Sequence, residues 1–312
     1  MPEIVISEFM DEAALAGLRE RHAVLYDPSL VDRPDDLLSA IAEARALVVR
    51  NRTQVRGDLL AAAGHLECIG RLGVGLDNID TSACADRGIA VYPATGANDL
   101  SVAEYVITAT LVLLRGAWQS TGDVIDGKWP RQALIGREVA GKTMGLVGFG
   151  AIARQVAARA RFMGMDVIAH DPFLPEDHDA WRLAAARGFD ELLAQADVVS
   201  LHTPLTDETH HLLGAQAIPR MKPGAILVNA ARGGVVDEAA LVAALRQGHL
   251  GGAALDVFEA EPLTGEAAER FRGLGNLVLT PHIAGVTDES NVRVSALIAE
   301  KIRIHLEKGP AT

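Results

Sequence analysis

Short apolar runs alternate with stretches in which apolar residues recur every three or four positions, and this alternation holds along the whole chain. In the first hundred residues the runs are EIVISEF (3–9), AVLYD (23–27), ALVVR (46–50), CIGRLG (68–73) and IAVYPA (89–94). Runs this short and continuously apolar suit strands buried on both faces of a parallel sheet. The intervening stretches at 11–22, 34–44 and 55–63 are amphipathic and predict crossover helices. Together they predict one small, doubly wound α/β unit of five strands.

A longer helical pattern, NDLSVAEYVITATLVLLRGAWQS (98–120), comes next. Asn98, Asp99 and Ser101 supply N-cap oxygens, and Glu104 stands three residues after Ser101, as a capping box requires. Its middle is apolar nearly all round, which predicts burial between domains or against another chain. A second α/β series runs from KTMGLVGFG (142–150) through DVIAHD (166–171), DVVSLHTP (197–204), GAILVNAARG (224–233) and GAALDVF (252–258) to NLVLTPHIAG (276–285). The stretch 287–307 reads as one amphipathic helix, and there is no repeat, low-complexity segment or flexible linker. Two α/β units joined by stiff helices predict a hinged pair with a ligand cleft between them.

At 312 residues the length suggests about two domains with a sizeable core. Hydrophobic residues make up 49% and aromatic ones only 4%, which fits an aliphatic α/β enzyme better than an aromatic-rich β-sandwich. A formal net charge of -12 with no basic patch argues against a nucleic-acid partner. No apolar run has the length of a membrane helix, and the acidic start MPEIVISEFMDEA is no signal peptide. Two cysteines, Cys68 and Cys84, are too few for a disulfide framework or a zinc site, so the expectation is a metal-free cytoplasmic protein.

GLVGFGAIA (145–153) almost spells G-x-G-x-x-G, with Ala153 in the place of the third glycine. Such a loop holds a pyrophosphate when a strand feeds it and a helix leaves it, because N–H groups and the helix dipole then face the phosphates. Here TMGLV is a buried strand and AIARQVAARARFMG a helix ending at Gly164. Gly148 can make the tight turn, Gly150 leaves room for a phosphate, and Ala153 occupies a helix–strand packing position that tolerates a methyl. Asp171 ends the next strand, placed to accept from the adenosine ribose hydroxyls. With Pro172 and Phe173 after it and no arginine, the pattern favours NAD over NADP. An Asp before a proline is also a common turn residue; the register of strand, loop, helix, strand and acid points to the dinucleotide.

Three further residues stand at C-terminal ends of strands, where open α/β sheets place ligands: Arg232, Glu261 and His282. Taken singly, the arginine reads equally as a structural ion pair and the histidine as a buried core residue. Together they suit hydride transfer to a 2-oxo acid. A guanidinium holds a carboxylate and polarises the adjacent carbonyl, and an imidazole supplies the accompanying proton. A neighbouring carboxylate fixes the imidazole's tautomer and favours its charged form.

GRLGVGLDNIDTSACADRGIAVYPATGANDLSVAEY, GKTMGLVGFGAIA, NAARGGVVDEAAL, GGAALDVFEAEPL and LTPHIAG, spread in order over residues 70 to 285, resemble the D-isomer-specific 2-hydroxyacid dehydrogenases. The resemblance implies a flavodoxin-like substrate domain of residues 1–98 plus 287–312 and a Rossmann NAD domain of 99–286. It implies a catalytic triad at Arg232, Glu261 and His282, and a cofactor site of Gly148, Phe149, Gly150, Ala151, Ile152, Asp171, Thr203, Pro204, Ala230, Asp256 and Gly285. Asp256 takes the position that meets the nicotinamide carboxamide. The substrate carboxylate meets main-chain N–H groups at Val74 and Gly75, and a homodimer forms with the helix near 99–120 contributing. Formate dehydrogenase shares the fold but gives its histidine a different partner, so Glu261 points away from it. An NAD-sensing, peptide-binding corepressor of the same fold retains the triad, and the compact chain without disordered tails argues against it.

The substrate is the least determined element. Arg50 and Arg52, in VVRNRTQV (48–55), follow the third strand of the first unit. Each is either an ordinary solvated arginine or a cleft residue, and in the second case the substrate carries another anionic group, as in the phosphoglycerate, malate or sulfolactate type. Trp129 stands near the partner-subunit or pocket position of the family, or is a core tryptophan.

Overall fold

The computed structural model describes residues 2–308. The chain divides into two compact units, one of the residues up to Asn98 together with those from Gly285 onward, the other Asp99–Ala284. Both are parallel α/β sheets.

The first unit contains β1 (Ile4–Ile6), β2 (Val24–Tyr26), β3 (Ala46–Val49), β4 (Cys68–Arg71) and β5 (Ala90–Pro93) in the order β2-β1-β3-β4-β5. α1 (Glu12–Arg19), α2 (Pro34–Ile41), α3 (Asp58–Ala62) and α4 (Thr81–Asp86) make the crossovers. Asp11 caps α1 by accepting from Ala13 N at 3.0 Å, and Pro34 opens α2 with its φ already helical. The apolar run 3–9 outlasts its strand for a visible reason. Past Ile6 the side chains turn to the loop after β3: the buried Glu8 carboxylate accepts from Arg50 N at 2.9 Å, Thr53 N at 3.0 Å and Arg52 N at 3.3 Å. Strand order reverses between β1 and β3, so this loop lies at the sheet's switch point, where such folds bind ligands.

The second unit begins with α5 (Asp99–Arg115) and α6 (Thr121–Ile125). α5 stops short of the predicted residue 120 because Gly116 adopts φ +65°, a left-handed helix stop. Then come β6 (Thr143–Val147), α7 (Ala151–Phe162), β7 (Asp166–His170), β8 (Ala185–Ala186), α8 (Phe189–Gln195), β9 (Val198–Leu201), β10 (Ile226–Asn229), α9 (Glu238–Arg246), β11 (Gly252–Leu255), α10 (Gly265–Glu269) and β12 (Leu277–Leu279). The sheet runs β12-β11-β10-β9-β6-β7-β8, all parallel, one strand more than the apolar runs predict. The extra strand, β8, is a two-residue edge of exposed alanines that leaves no hydrophobic signal. Its switch point falls between β6 and β9, so the glycine loop after β6 opens there. Leu201 of β9 and Leu192, Leu193, Leu213 and Leu241 in the same core are fully buried. Each contributes about 1.5–3 kcal/mol of burial.

The last helix, α11 (Asp288–Lys308), returns to the first unit. Val294, Ile298, Ile302 and Leu306 join Ile4, Ile6, Ala46, Val48 and Cys68 in one core. Gly70 permits this approach, since a Cβ there would lie 2.4 Å from Ile298 Cγ2. Among the described residues no helix is long and apolar enough to cross a membrane.

One titration is built into the larger sheet. Burial pushes the His202 imidazole, just past β9, down from 6.5 to about 4, while its Nε2 lies 2.9 Å from Ser200 Oγ. A base whose folded pKa is depressed takes up its proton in the unfolded chain first, so its contribution to stability is present above 6.5 and is lost as pH falls towards 4. Chemical denaturation across this interval is expected to show stability falling with acid, and His202→Gln to flatten that slope by about one proton. An equal slope in the variant refutes the assignment.

Candidate active site

The glycine loop is shaped for a pyrophosphate. Gly148 has φ +84°, and a Cβ there would strike His202 O at 2.7 Å. Gly150 forms the N-cap of α7 without a side-chain cap, and the space where its Cβ would sit holds no atom within 4 Å. The first N–H groups of the helix therefore border open space over a bare glycine. Thr203 Oγ1, just past β9, is buried without a hydrogen-bond partner among the described residues. These features fit a dinucleotide phosphate. Ala153 is fully buried in the helix–sheet core, and Ala151 and Ile152 form the first turn of α7. The Phe149 ring is also fully buried and stacks on Trp181 at 5.3 Å, so this residue faces the loop only with its backbone.

Asp171 ends β7 and accepts from Phe149 N at 2.8 Å through Oδ2 and from Phe173 N at 3.0 Å through Oδ1. The acid therefore fixes the loop as well as bordering it. Arg154, which the sequence reading did not single out, folds back from α7 so that Nε donates to Phe149 O at 2.9 Å. Beyond β9, Pro204 O accepts from Thr209 Oγ1 at 2.7 Å.

Asp256, directly after β11, is 1% exposed. Oδ1 accepts from Ile283 N at 2.8 Å and Thr280 Oγ1 at 2.6 Å, and Oδ2 accepts from Ala284 N at 2.7 Å. Its carbonyl accepts from His282 N at 2.8 Å. The turn thus pinned carries His282 at φ +55°, a left-handed backbone that a non-glycine residue adopts only under constraint. Because Thr280 donates to Asp256, the Tyr105 hydroxyl 2.6 Å away donates to Thr280, completing a chain of bonds back to α5. Asp256, expected from the resemblance to meet a carboxamide, has both carboxylate oxygens engaged by this turn.

The turn presents His282 Nδ1 to Glu261 Oε2 at 2.7 Å, and Glu261 Oε1 accepts from Phe258 N at 3.1 Å. Burial alone would raise the Glu261 pKa, but the hydrogen bond and charge of His282, the Phe258 N–H and the Arg232 charge outweigh it and hold the carboxyl below its ordinary value. Arg232 follows β10 in extended backbone. The fully buried Asn229 brackets the segment, accepting from Ala231 N at 3.1 Å and donating to Arg232 O at 2.8 Å, with Ala230 between. Arg232, Glu261 and His282 thus belong to one unit, at the ends of three adjacent strands.

The candidate residues of the first unit differ among themselves. Arg50 Nη2 donates to Asn291 Oδ1 at 3.0 Å, and its guanidinium lies 5.7 Å from the Phe9 ring centre. Burial pushes its pKa down, the Glu8 charge opposing. Arg52 instead pairs with Asp32 on the surface. Val74 and Gly75 follow β4, and among the described residues neither N–H has a protein acceptor. Gly285 O accepts from Ser290 Oγ at 2.8 Å, at the start of α11.

Comparison with known proteins identifies the family. Residues 107–284 match the family described as D-isomer specific 2-hydroxyacid dehydrogenase, NAD binding domain. The chain is 55% identical over 304 residues to an (S)-sulfolactate dehydrogenase of Chromohalobacter salexigens, covering 97% of this chain and 98% of that protein. It is 39% identical over 307 residues to a D-3-phosphoglycerate dehydrogenase of Archaeoglobus fulgidus, covering 98% of this chain but only 58% of that longer protein. The crystal structure of D-lactate dehydrogenase from Aquifex aeolicus, complexed with NAD and lactic acid, matches with a TM-score of 0.86 at 27% identity, over 98% of this chain and 96% of that one. The chain belongs to the D-isomer-specific 2-hydroxyacid dehydrogenases, NAD-dependent oxidoreductases that interconvert 2-hydroxy and 2-oxo acids.

Proposed function

We propose that the substrate is a small 2-hydroxy acid of D handedness with a second anionic group, of the sulfolactate type, and that Arg50 receives that group. The observation that carries this reading is the environment of Arg50. Its guanidinium is largely buried against an amide oxygen and an aromatic face, and among the described residues no carboxylate bonds to it. A desolvated cation of this kind favours an anionic ligand. Arg52 already has Asp32 as its partner and is left out of the site. The sulfolactate dehydrogenase named above supports the same substrate class. D handedness, which is (R) in lactate, takes the descriptor (S) in sulfolactate because sulfur outranks the carboxyl oxygens, so the two labels describe one arrangement.

In this proposal the free N–H groups of Val74 and Gly75 receive the substrate carboxylate, and Arg232 holds the carboxylate and polarises the 2-oxo group. His282 Nδ1 donates to Glu261, which leaves Nε2 to give or take the proton at the substrate oxygen. Glu261 keeps that tautomer and stabilises the imidazolium. Asp171 would hold the adenosine ribose of NAD and the α7 N-terminus its phosphates, and the cofactor would supply or accept the hydride. Asp256 holds the His282 turn.

A second copy of the chain is the proposed partner. α6 buries none of its residues, and Trp118, Ile125, Trp129 and Ile135 around it are exposed, Ile125 by 79%. An apolar patch of this kind marks an association surface. We place the enzyme in the cytoplasm, a reading supported by two free thiols, Cys68 and Cys84.

NADH oxidation with a panel of 2-oxo acids tests the substrate: sulfopyruvate, oxaloacetate and phosphohydroxypyruvate are expected to exceed pyruvate in kcat/KM. Arg50→Ala should cost the preferred doubly charged acid about 10- to 100-fold, the worth of a charged hydrogen bond, while Arg52→Ala costs little. Equal rates on pyruvate and the doubly charged acids would refute the proposal. His282→Asn should lower kcat by about 10²- to 10⁴-fold with NADH still bound, measured by fluorescence titration. Because Glu261 stays ionised below its ordinary value of 4.5, the acid limb it sets in the pH profile of reduction lies below pH 4.5; a limb above that value contradicts the pairing. Sedimentation should find a dimer that Ile125→Asp with Trp129→Asp dissociates, and an unchanged dimer places the interface elsewhere.

A further inference from the structure

Segment 256–264 carries Glu261 but has no regular secondary structure, so something other than a backbone ladder must hold it. Glu238, the first residue of α9, and Glu259 exchange bonds across the gap. Glu259 N donates to Glu238 Oε1 at 2.8 Å, and Glu238 N donates to Glu259 Oε1 at 3.1 Å. Each carboxylate satisfies the other residue's main-chain donor, and the Glu238 side chain is only 3% exposed. Arg270 lies 3.3 Å from Glu238 Oε2 and 3.7 Å from Glu259 Oε2, and His211 Nε2 lies 3.1 Å from Glu259 Oε1, so the two acids share cationic or donor partners.

This clasp joins the two segments on which the chemistry depends. Arg232 precedes Glu238 by six residues, and Glu261 follows Glu259 by two. Between them the backbones touch directly: a Cβ on Gly233 would sit 1.8 Å from Phe258 O, and Phe258 is the residue whose N–H holds Glu261 Oε1. A displacement of Glu259 therefore moves Phe258 and Glu261 together.

We propose that Glu238 and Glu259 are positioning residues that act through Glu261, setting its carboxylate against His282 by their reciprocal side-chain-to-main-chain bonds. The role needs a carbonyl-type acceptor at each position, which glutamine retains and alanine lacks. The proposal rests on Glu261 partnering His282 in the reaction, and the test separates the two claims.

Steady-state reduction of the best 2-oxo acid, NADH titration by fluorescence and thermal melting are measured for Glu238→Ala, Glu259→Ala and the two Gln variants, with Glu261→Gln alone and combined with Glu259→Ala. The alanine variants are expected to lose about 10- to 100-fold in kcat, the scale of a misplacement near 1 Å, with Kd for NADH within about twofold. The Gln variants should recover most of that loss. In the Glu261→Gln background Glu259→Ala should cost little more, because interactions through one residue are not additive. A wild-type kcat in the alanine variants, a full additional loss in the double variant, or a Gln loss equal to the Ala loss overturns the clasp. A lowered melting temperature with wild-type kcat below the transition also overturns it, leaving a structural bond only. Full activity of Glu261→Gln by itself overturns the underlying catalytic reading instead.

Discussion

The Asp256 carboxylate is the constraint around which the site is arranged. It sits nearly wholly buried at the end of β11 and takes two main-chain N–H groups and a hydroxyl from the turn after β12. A left-handed backbone at His282 costs of the order of 1–3 kcal/mol. Hydrogen bonds to a charged group contribute about 1.5–3 kcal/mol each, so three of them outweigh the strain. An amide in place of the carboxylate would turn two hydrogens towards donors on one side, which is why an acid and not its isostere suits this position. The same turn also sets where the His282 imidazole leaves the backbone, within reach of Glu261 through Nδ1.

Parallel α/β sheets deliver residues to one rim, but they deliver them on loops. Arg232, Glu261 and His282 follow β10, β11 and β12, and each is then held by a different device. Asn229 brackets Arg232, the Glu238–Glu259 exchange and Phe258 hold Glu261, and Asp256 holds His282. The strands set the approximate location, and buried acceptors matched to main-chain donors set the rest. Such matching is needed because an unpaired buried N–H costs about 1–3 kcal/mol, as much as the contacts that would otherwise drift.

Legibility in the sequence follows the same division. Every strand but β8, the crossover helices and the strand-end positions were readable, because apolar periodicity and glycine placement encode them locally. β8 was not, since two exposed alanines carry no pattern. The overrun of α5 ignored a signal that was present, Gly116. The carboxylates that hold two of the loops were invisible for another reason: their partners lie 21 to 28 residues away, and nothing local says whether Asp256, Glu238 or Glu259 faces a ligand or a main-chain N–H. Phe149 shows the converse, a residue of the nucleotide motif whose side chain belongs to the core.

Arg50 and Arg52 sharpen the point. The sequence presents two similar cations two positions apart, yet the loop gives one Asp32 and the other only an amide oxygen and a phenyl face. Glu8, whose charge only partly offsets the burial of Arg50, makes no hydrogen bond to that guanidinium among the described residues, because its oxygens turn to three main-chain N–H groups. A guanidinium left in this state pays a desolvation cost that a carboxylate of the protein would have offset. Building in that carboxylate would stabilise the fold and abolish the cation's use to a ligand. Under the proposed substrate assignment, a second anion on the substrate compensates this cation, and a methyl in its place does not.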